Sequence, residues 1–290
     1  MKTIVITVLF CLLFLLSYSQ ENIKLTIVDD ETKEPIEFAT FAYFHANQCS
    51  GVYSDALGVV TITLPSTVDS IRISCMGYQP TTLTKIASKT IGLHRKTFNI
   101  KEVVVRPCIN FKTLGYINNK KEVRIGAESG LECAVLVENE TGLESPIKSL
   151  LFRFKQNEKT KTVIRIHLYS CNSNRMPDKE LINENLVVYI TPQNDGIIDY
   201  DISKFGITLP VNGVFVGMEW IGCTDGETEQ IIKPKRILKT SIVFTSLNHQ
   251  ATYLRSELFN GIWDNRLLDS IVPLKKGKFL NAAFGLKIVE

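Results

Sequence analysis

Apolar and polar residues alternate with a period of two along much of this chain. Val60, Ile62 and Leu64 share one face of a predicted strand, while Thr61 and Thr63 occupy the other. The same alternation recurs at residues 71–75, 150–154 and 164–169. Side chains alternate between the two faces of a β-strand, so this period is typical of half-buried strands. Residues 22–105 contain no convincing helical apolar stripe, and the pattern predicts an all-β protein.

Turn-forming segments divide these strands into two modules. Asp55-Ala56-Leu57-Gly58 has Asp at the first position and Gly at the fourth, as a type I turn prefers. Residues 106–119 contain Pro107, Gly115 and several asparagines, which favour a linker. We therefore expect one module at residues 20–105 and a second at residues 120–290.

The second module is also predicted to consist of strands. Residues 214–221 are almost continuously apolar, which predicts a strand in a core. Residues 240–246 and 282–289 are further candidates, and proline-containing loops separate these segments. Eight or more strands of this kind fit a jelly-roll-like β-sandwich.

The first nineteen residues have the features of a cleavable signal peptide. Lys2 provides a positive charge, residues 4–16 are apolar apart from Thr7, and Ser17 and Ser19 are the small residues expected before a cut at Gln20. The apolar stretch is shorter than the ~20 residues of a membrane-spanning helix. We therefore expect an exported protein, in the periplasm or at the outer membrane or cell surface, with no transmembrane helix in the mature chain. The sequence leaves the choice between those locations open.

Charge and cysteine content narrow the class further. The chain has 33 Lys and Arg against 30 Asp and Glu, a balance that argues against a nucleic-acid partner. Six cysteines follow the predicted leader, namely Cys49, Cys75, Cys108, Cys133, Cys171 and Cys223. An exported chain can form disulfides, and six cysteines allow 15 pairings between which the sequence does not choose. Cys75 and Cys133 occupy apolar strand positions, which favours buried free thiols.

Several short motifs of the first module occur in an order that resembles a known family. They are Val28-Asp29, Thr32, Pro35-Ile36, Ala39, Asp55-Ala56-Leu57-Gly58, residues 71–78 ending in Gly77-Tyr78, Leu93 and Glu102-Val103-Val104-Val105. Together they resemble the carboxypeptidase regulatory-like domain over residues 22–105. The resemblance implies a transthyretin-like sandwich of seven strands, as in exported proteins of the Bacteroidetes type. Phe215 to Ile221 is similar only to uncharacterised β modules, which implies no function.

No assembled catalytic motif accompanies these modules. The four histidines of the chain have no acidic residue or second histidine at zinc-peptidase spacing, and no Gly-x-Ser-x-Gly elbow is present. We therefore expect a protein that is not an enzyme. The alternative is a hydrolase of envelope polymers that uses carboxylate catalysis at Glu219, which interrupts the apolar run at 214–221. If buried, Glu219 is expected to have a raised pKa suited to a catalytic acid, whereas a strand position facing solvent or an ion pair is the simpler interpretation.

Two kinds of binding site remain as candidates. Asp195, Asp199 and Asp201 flank a glycine-containing turn, and hard cations prefer such oxygen-rich loops, so calcium is the one cofactor considered beside an ordinary polar turn. Trp263 lies among turn formers and is the best candidate for an exposed aromatic, with Tyr253 and Glu219 as further ligand-binding candidates.

The sequence as a whole predicts a non-enzymatic cell-envelope binding or scaffold protein. Its partner would be a glycan, a peptide or an envelope protein bound through the second module, and ligand identity and oligomeric state stay open.

Overall fold

The computed structural model describes residues 21–96, 110–120, 123–126, 128–155, 161–191, 193, 196–224, 231–232, 240–256, 261–266, 268 and 276–290. The predicted signal peptide lies outside these residues, as do most of the predicted linker, Cys108 and Asp195. The fold of the described residues is all-β, as the alternation predicts. The 3-10 turn at Ser203–Phe205 is the longest helical element among them.

Seven strands of the first module form two sheets. They are β1 (Glu21–Asp29), β2 (Thr40–His45), β3 (Gln48–Tyr53), β4 (Val59–Leu64), β5 (Ser70–Ser74), β6 (Thr81–Leu83) and β7 (Thr90–Leu93). One sheet has the order β4-β1-β7 and the other β3-β2-β5-β6. Their inner faces enclose an apolar core that includes Leu25, Phe41, Val60 and Ile73.

Turn chemistry holds the connections of this module. Asp55 Oδ1 accepts hydrogen bonds from the backbone N–H groups of Leu57 (2.9 Å) and Val59 (2.8 Å). Gly58 has φ of 71°, and a Cβ there would lie 2.5 Å from the Ile27 carbonyl oxygen, so this turn needs glycine. The buried Asp29 carboxylate accepts hydrogen bonds from Thr32 N–H and Tyr78 O–H, which ties the end of β1 to the segment after β5.

The second module is a larger sandwich of two sheets. Its strands are β8 (Phe111–Gly115), β9 (Val123–Gly126), β10 (Leu131–Val137), β11 (Ser145–Lys155), β12 (Thr162–Cys171), β13 (Pro177–Glu180), β14 (Val187–Ile190), β15 (Gly196–Asp201), β16 (Thr208–Leu209), β17 (Val214–Thr224), β18 (Ile231–Ile232), β19 (Ser241–Leu247), β20 (Thr252–Ser256), β21 (Phe279–Ala282) and β22 (Phe284–Val289). We call the sheet β13-β12-β17-β10-β20 the inner sheet and the sheet β21-β19-β11-β22-β8 the outer sheet. The strands β8, β10, β11, β12, β17, β19, β20 and β22 alternate between the two sheets, except that β12 and β17 both belong to the inner sheet.

The apolar faces of these two sheets form the larger core of the protein. Ile164, Ile166 and Leu168 of β12 lie in it together with Phe152 and Phe284, which make an edge-on ring contact at 4.9 Å. Every residue of β17 is buried, so the prediction of a core strand at 214–221 is confirmed.

One predicted boundary differs from the structure. Phe111–Gly115, predicted as part of a linker at 106–119, forms β8, which pairs with β22 in the outer sheet. Leu114 is buried in the large core, so the second sandwich begins no later than Phe111. Gly115 is the last residue of this short strand and asparagines flank it, so the sequence pattern did not separate the strand from the loop formers.

The two modules are packed against each other through the inner sheet. Phe38 and Tyr53 of the first module form a small apolar cluster with Val163 and Ile221 of the second. Tyr189 adds an edge-on contact to the Phe38 ring at 6.3 Å. This contact covers part of the inner sheet face that points away from the large core. Within the described residues, no helix is long and apolar enough to cross a membrane.

Candidate functional site

A row of four charged side chains crosses the inner sheet beside the module contact. The strand register places Arg165 of β12 opposite Glu219 of β17, Glu219 opposite Glu132 of β10, and Glu132 opposite Arg255 of β20. Arg165, Glu219 and Glu132 are each at most 3% exposed. Buried charges are costly unless they are paired, so the partners of each group decide what this row can do.

The first half of the row joins the two modules. Arg165 Nη1 donates a hydrogen bond to Glu219 Oε2 at 2.5 Å, and its Nη2 donates to the Phe38 carbonyl oxygen of the first module. Tyr53 O–H, also of the first module, donates to Glu219 Oε1 at 2.5 Å. Asn185 accepts from Arg165 Nε at 2.7 Å and donates to the Glu37 carbonyl oxygen at 3.0 Å. We call Arg165, Glu219, Tyr53 and Asn185 the module clamp.

His167 lies two residues further along β12, between two carboxylates. Its Nδ1 is 2.8 Å from Glu180 Oε2, and its Nε2 is 3.4 Å from Glu219 Oε2. Burial favours the neutral ring, but Glu132, Glu180 and Glu219 together raise the pKa of His167 to about 10. The ring is therefore an imidazolium that donates from both nitrogens at neutral pH.

The second half of the row involves three aromatic or cationic side chains. Tyr169 O–H donates to Glu132 Oε1 at 2.6 Å, and Arg255 Nε donates to Glu132 Oε2 at 2.7 Å. The Arg255 guanidinium lies over the Trp263 ring, 4.4 Å from its centroid. Gly217 leaves room for this packing, because a Cβ there would lie 3.2 Å from Tyr169 Cε2.

An open cleft of about 550 Å³ lies between the modules, with these groups on its floor. The second module contributes the charged row, His167, Tyr169 and β13, whereas the first contributes residues of β5 and of the segment after it. We call this space the inter-module cleft, and it is the candidate functional site.

The expectation that a buried Glu219 has a raised pKa is wrong. Burial alone raises this pKa, but the Arg165 charge and the hydrogen bonds from His167 and Tyr53 outweigh it and lower the pKa to about 2. Glu219 is thus held as a carboxylate, and both of its oxygens accept hydrogen bonds from protein groups. This arrangement suits a positioning role rather than proton donation.

The two aromatic candidates lie on the same side of the inner sheet. Trp263 is half-buried and makes an edge-on contact with Tyr169 at 5.6 Å between ring centroids. Tyr253 of β20 is half-buried against Phe215 at 5.6 Å. Trp263 is thus adjacent to Arg255 and Tyr169 of the cleft floor, whereas Tyr253 packs on a neighbouring part of the sheet.

Two of the three candidate calcium ligands, Asp199 and Asp201, lie in the outer sheet rather than at the inter-module cleft. Asp199 and Asp201 of β15 form ion pairs with Lys287 and Lys148. Asp195 lies outside the described residues. Across the described ranges, no group of three or more His, Cys, Asp or Glu side chains is arranged to hold a metal ion.

Cys75 and Cys133 are buried free thiols, as their apolar positions predict. Burial raises the pKa of Cys75 to about 11, which disfavours a reactive thiolate at neutral pH.

Most residues of the cleft floor were not identified from the sequence. Arg165, His167 and Tyr169 alternate with three core residues of β12, and this pattern marks an outward face without showing what covers it. Glu132 interrupts the apolar run of β10 as Glu219 interrupts β17. A glutamate within an apolar strand is a signal of a buried charge that the sequence does contain. The sequence does not show that Glu132 and Glu219 lie opposite each other, because this depends on strand register. Neither a protein-family model nor a curated protein matches this sequence.

Proposed function

We propose that this chain is a non-enzymatic binding protein of the bacterial cell envelope that holds a glycan in the inter-module cleft. The observation that carries the proposal is the cleft itself, an open space of about 550 Å³ bounded by both modules. Its volume is within the range of ordinary ligand sites. Export is supported by the signal-like first nineteen residues and by the resemblance of residues 22–105 to carboxypeptidase regulatory-like domains.

The state of the ionisable groups favours binding over catalysis. Glu219 is kept ionised by Arg165, His167 and Tyr53, and His167 is kept protonated by its carboxylate neighbours. A hydrolase with carboxylate catalysis needs one carboxyl group that is protonated near neutral pH. The geometry instead supports a rigid floor with fixed charges, which positions polar contacts for a bound molecule.

The aromatic groups beside the floor supply the second part of a sugar site. Trp263 and Tyr169 are in contact with each other and with Arg255. Sugar rings combine hydroxyl groups with apolar faces, and the half-buried ring of Trp263 next to hydrogen-bonding groups complements both.

The test is calorimetric titration of the full mature chain with an oligosaccharide panel, comparing wild type with Trp263→Ala. We expect at least one saccharide to bind and the variant to bind it about tenfold more weakly, a loss typical of a removed aromatic anchor. Phe111→Ala is the matched control, since Phe111 is an exposed aromatic of the outer sheet. If no saccharide binds the wild type, the proposal fails. Unchanged binding by Trp263→Ala would remove this residue from the site.

A further inference from the structure

The turn after β5 brings the first module into close contact with the second. Within this turn, Tyr78 N–H donates to the Cys75 carbonyl oxygen at 3.1 Å, and Gly77 has a φ of 83°. Met76 packs against the large core of the second module. Residues 75–78 also line the inter-module cleft. The same four residues therefore form part of the module contact and part of the cleft wall.

Gly77 lies directly against the backbone of the second module. A Cβ added to Gly77 would lie 2.5 Å from the carbonyl oxygen of Asn183. Non-bonded heavy atoms in contact are separated by about 3.5 Å, so a side chain at this position would force the two backbones apart by about 1 Å. Only glycine allows the modules to approach each other this closely.

Backbone hydrogen bonds hold Gly77 in place within the first module. Its carbonyl oxygen accepts a hydrogen bond from Lys96 N–H at 2.8 Å. Two residues further along the chain, Gln79 N–H donates to the His94 carbonyl oxygen at 2.8 Å. A methyl group at Gly77 would therefore act on the position of the module rather than on this turn alone.

The segment that faces Gly77 continues directly into the cleft wall of the second module. Asn183 follows Ile182, which lines the cleft. Two residues after Asn183, the Asn185 side chain donates to the Glu37 carbonyl oxygen of the first module at 3.0 Å. A change in the distance between Gly77 and Asn183 would therefore change the separation of the two cleft walls.

We infer that Gly77 is a positioning residue of the inter-module cleft, whose missing side chain sets the separation of the walls and thereby the affinity for the glycan. This inference rests on the proposed function and gives the Gly77-Tyr78 motif of the first module a role in it. Groups that bind a ligand must be held within about 0.5 Å of their productive positions. The displacement of about 1 Å that a side chain at Gly77 would impose exceeds this tolerance.

The test combines the crystal structure and the glycan affinity of Gly77→Ala in the full mature chain. When the second modules of variant and wild type are superposed, we expect the first module to be displaced by about 1 Å, because the added methyl group collides with Asn183. Calorimetric titration uses cellohexaose, mannohexaose, xylohexaose and chitohexaose as probes. The probe that the wild type binds most tightly is expected to bind the variant roughly tenfold more weakly, since its contacts are then held outside the tolerance of a binding site.

Two further variants separate the module contact from backbone strain. Gly142 has a φ of 67°, and among the described residues no heavy atom lies within 4 Å of an added Cβ, so Gly142→Ala has a similar strain without a collision. This variant is expected to bind the glycan as the wild type does. Gly77→Asn keeps the collision but reduces the strain, because Asn tolerates a positive φ better than Ala does. It is expected to show the same weakened binding, and it provides the answer if Gly77→Ala does not fold.

The outcomes separate this inference from the proposed function. Wild-type affinity of Gly77→Ala overturns the inference. Recovery of binding in Gly77→Asn also overturns it, since the loss would then follow backbone strain rather than module separation. If no probe binds the wild type, the proposed function fails, whereas the displacement of the first module still decides whether Gly77 sets the separation of the walls. An unchanged arrangement of the modules in Gly77→Ala would show that it does not.

Discussion

The inner and outer sheets of the second sandwich carry similar ion pairs in different surroundings. On the outer sheet, Lys148 pairs with Asp201 and Lys287 with Asp199, and all four side chains are at least one-third exposed. On the inner sheet, the Arg165 and Glu219 side chains are 4% and 2% exposed, because the first module covers them. The same cross-strand chemistry is therefore a solvated surface feature on one sheet and a structural clamp on the other.

The comparison indicates that burial decides how much the loss of one partner of a charge pair lowers the stability of the protein. Water screens an exposed pair, and holding its side chains in place costs entropy, so its net contribution is small. A buried pair has lost its hydration, and removal of one partner leaves the other charge without compensation. The following four predictions test this difference from the largest expected effect to the smallest.

Glu219→Ala is expected to lower the free energy of unfolding by about 3–5 kcal/mol, because the buried Arg165 charge loses its partner. Urea denaturation of the variant and the wild type measures this loss. The control is the double substitution Arg165→Met/Glu219→Leu, which removes both charges and is expected to recover most of the stability. A loss below about 1 kcal/mol for Glu219→Ala would show that the clamp is solvated.

The stability of the inner sheet is expected to depend on pH in two directions. The pKa of His167 is raised from 6.5 to about 10, so its contribution is complete below pH 6.5 and is lost as the pH rises through 10. The pKa of Glu219 is lowered from 4.5 to about 2, so its contribution is complete above pH 4.5 and is lost as the pH falls through 2. Denaturation midpoints across this range measure both limbs.

His167→Gln separates the two limbs of this profile. The variant is expected to lose the decline in stability that His167 causes between pH 6.5 and 10. It is expected to keep a smaller acid limb, because Arg165 and Tyr53 still lower the pKa of Glu219. Persistence of the full alkaline decline in the variant would contradict the assignment to His167.

Tyr53→Phe is expected to lower stability by about 1–2 kcal/mol, because Glu219 loses a hydrogen bond that crosses between the modules. Tyr43→Phe is the matched control, since this half-buried tyrosine of β2 packs against the core of the first module. Equal effects of the two substitutions in thermal unfolding would argue against a clamp at Tyr53.

Lys148→Ala is expected to change stability by less than about 1 kcal/mol, because the Lys148–Asp201 pair is exposed. The measurement is urea denaturation in low and in high salt. A large loss for this variant would remove the distinction between the two sheets.

Strand-level features were predictable from local pattern. The period of two at 60–64 and 71–75 predicted β4 and β5, and the apolar run at 214–221 predicted the buried strand β17. These predictions succeed because the alternation of apolar and polar residues is a property of consecutive residues in one segment of the chain. The short strand β8 was missed, because its five residues lie within a segment rich in loop formers.

The candidate site was predictable only in fragments. Glu219 and Trp263 were identified as unusual in their segments, yet the pKa direction of Glu219 was wrong because Arg165 and Tyr53 are 54 and 166 residues away in the chain. Asp199 and Asp201 were predicted as cation ligands because their local segment shows no positive partner. Their lysine partners come from β11 and β22, which are distant in the chain. Nothing local to these residues indicates which charge lies opposite them.

The sequence by itself determined the all-β class, the main strands and the positions where charge interrupts an apolar run. Alternation and turn chemistry are local, so they can be recognised without knowledge of the fold. The tertiary structure decided which outward face is covered, which charges are paired and where the cleft lies. Those properties depend on strand register and on the docking of one module against the other, and they bring together residues that are distant in the chain.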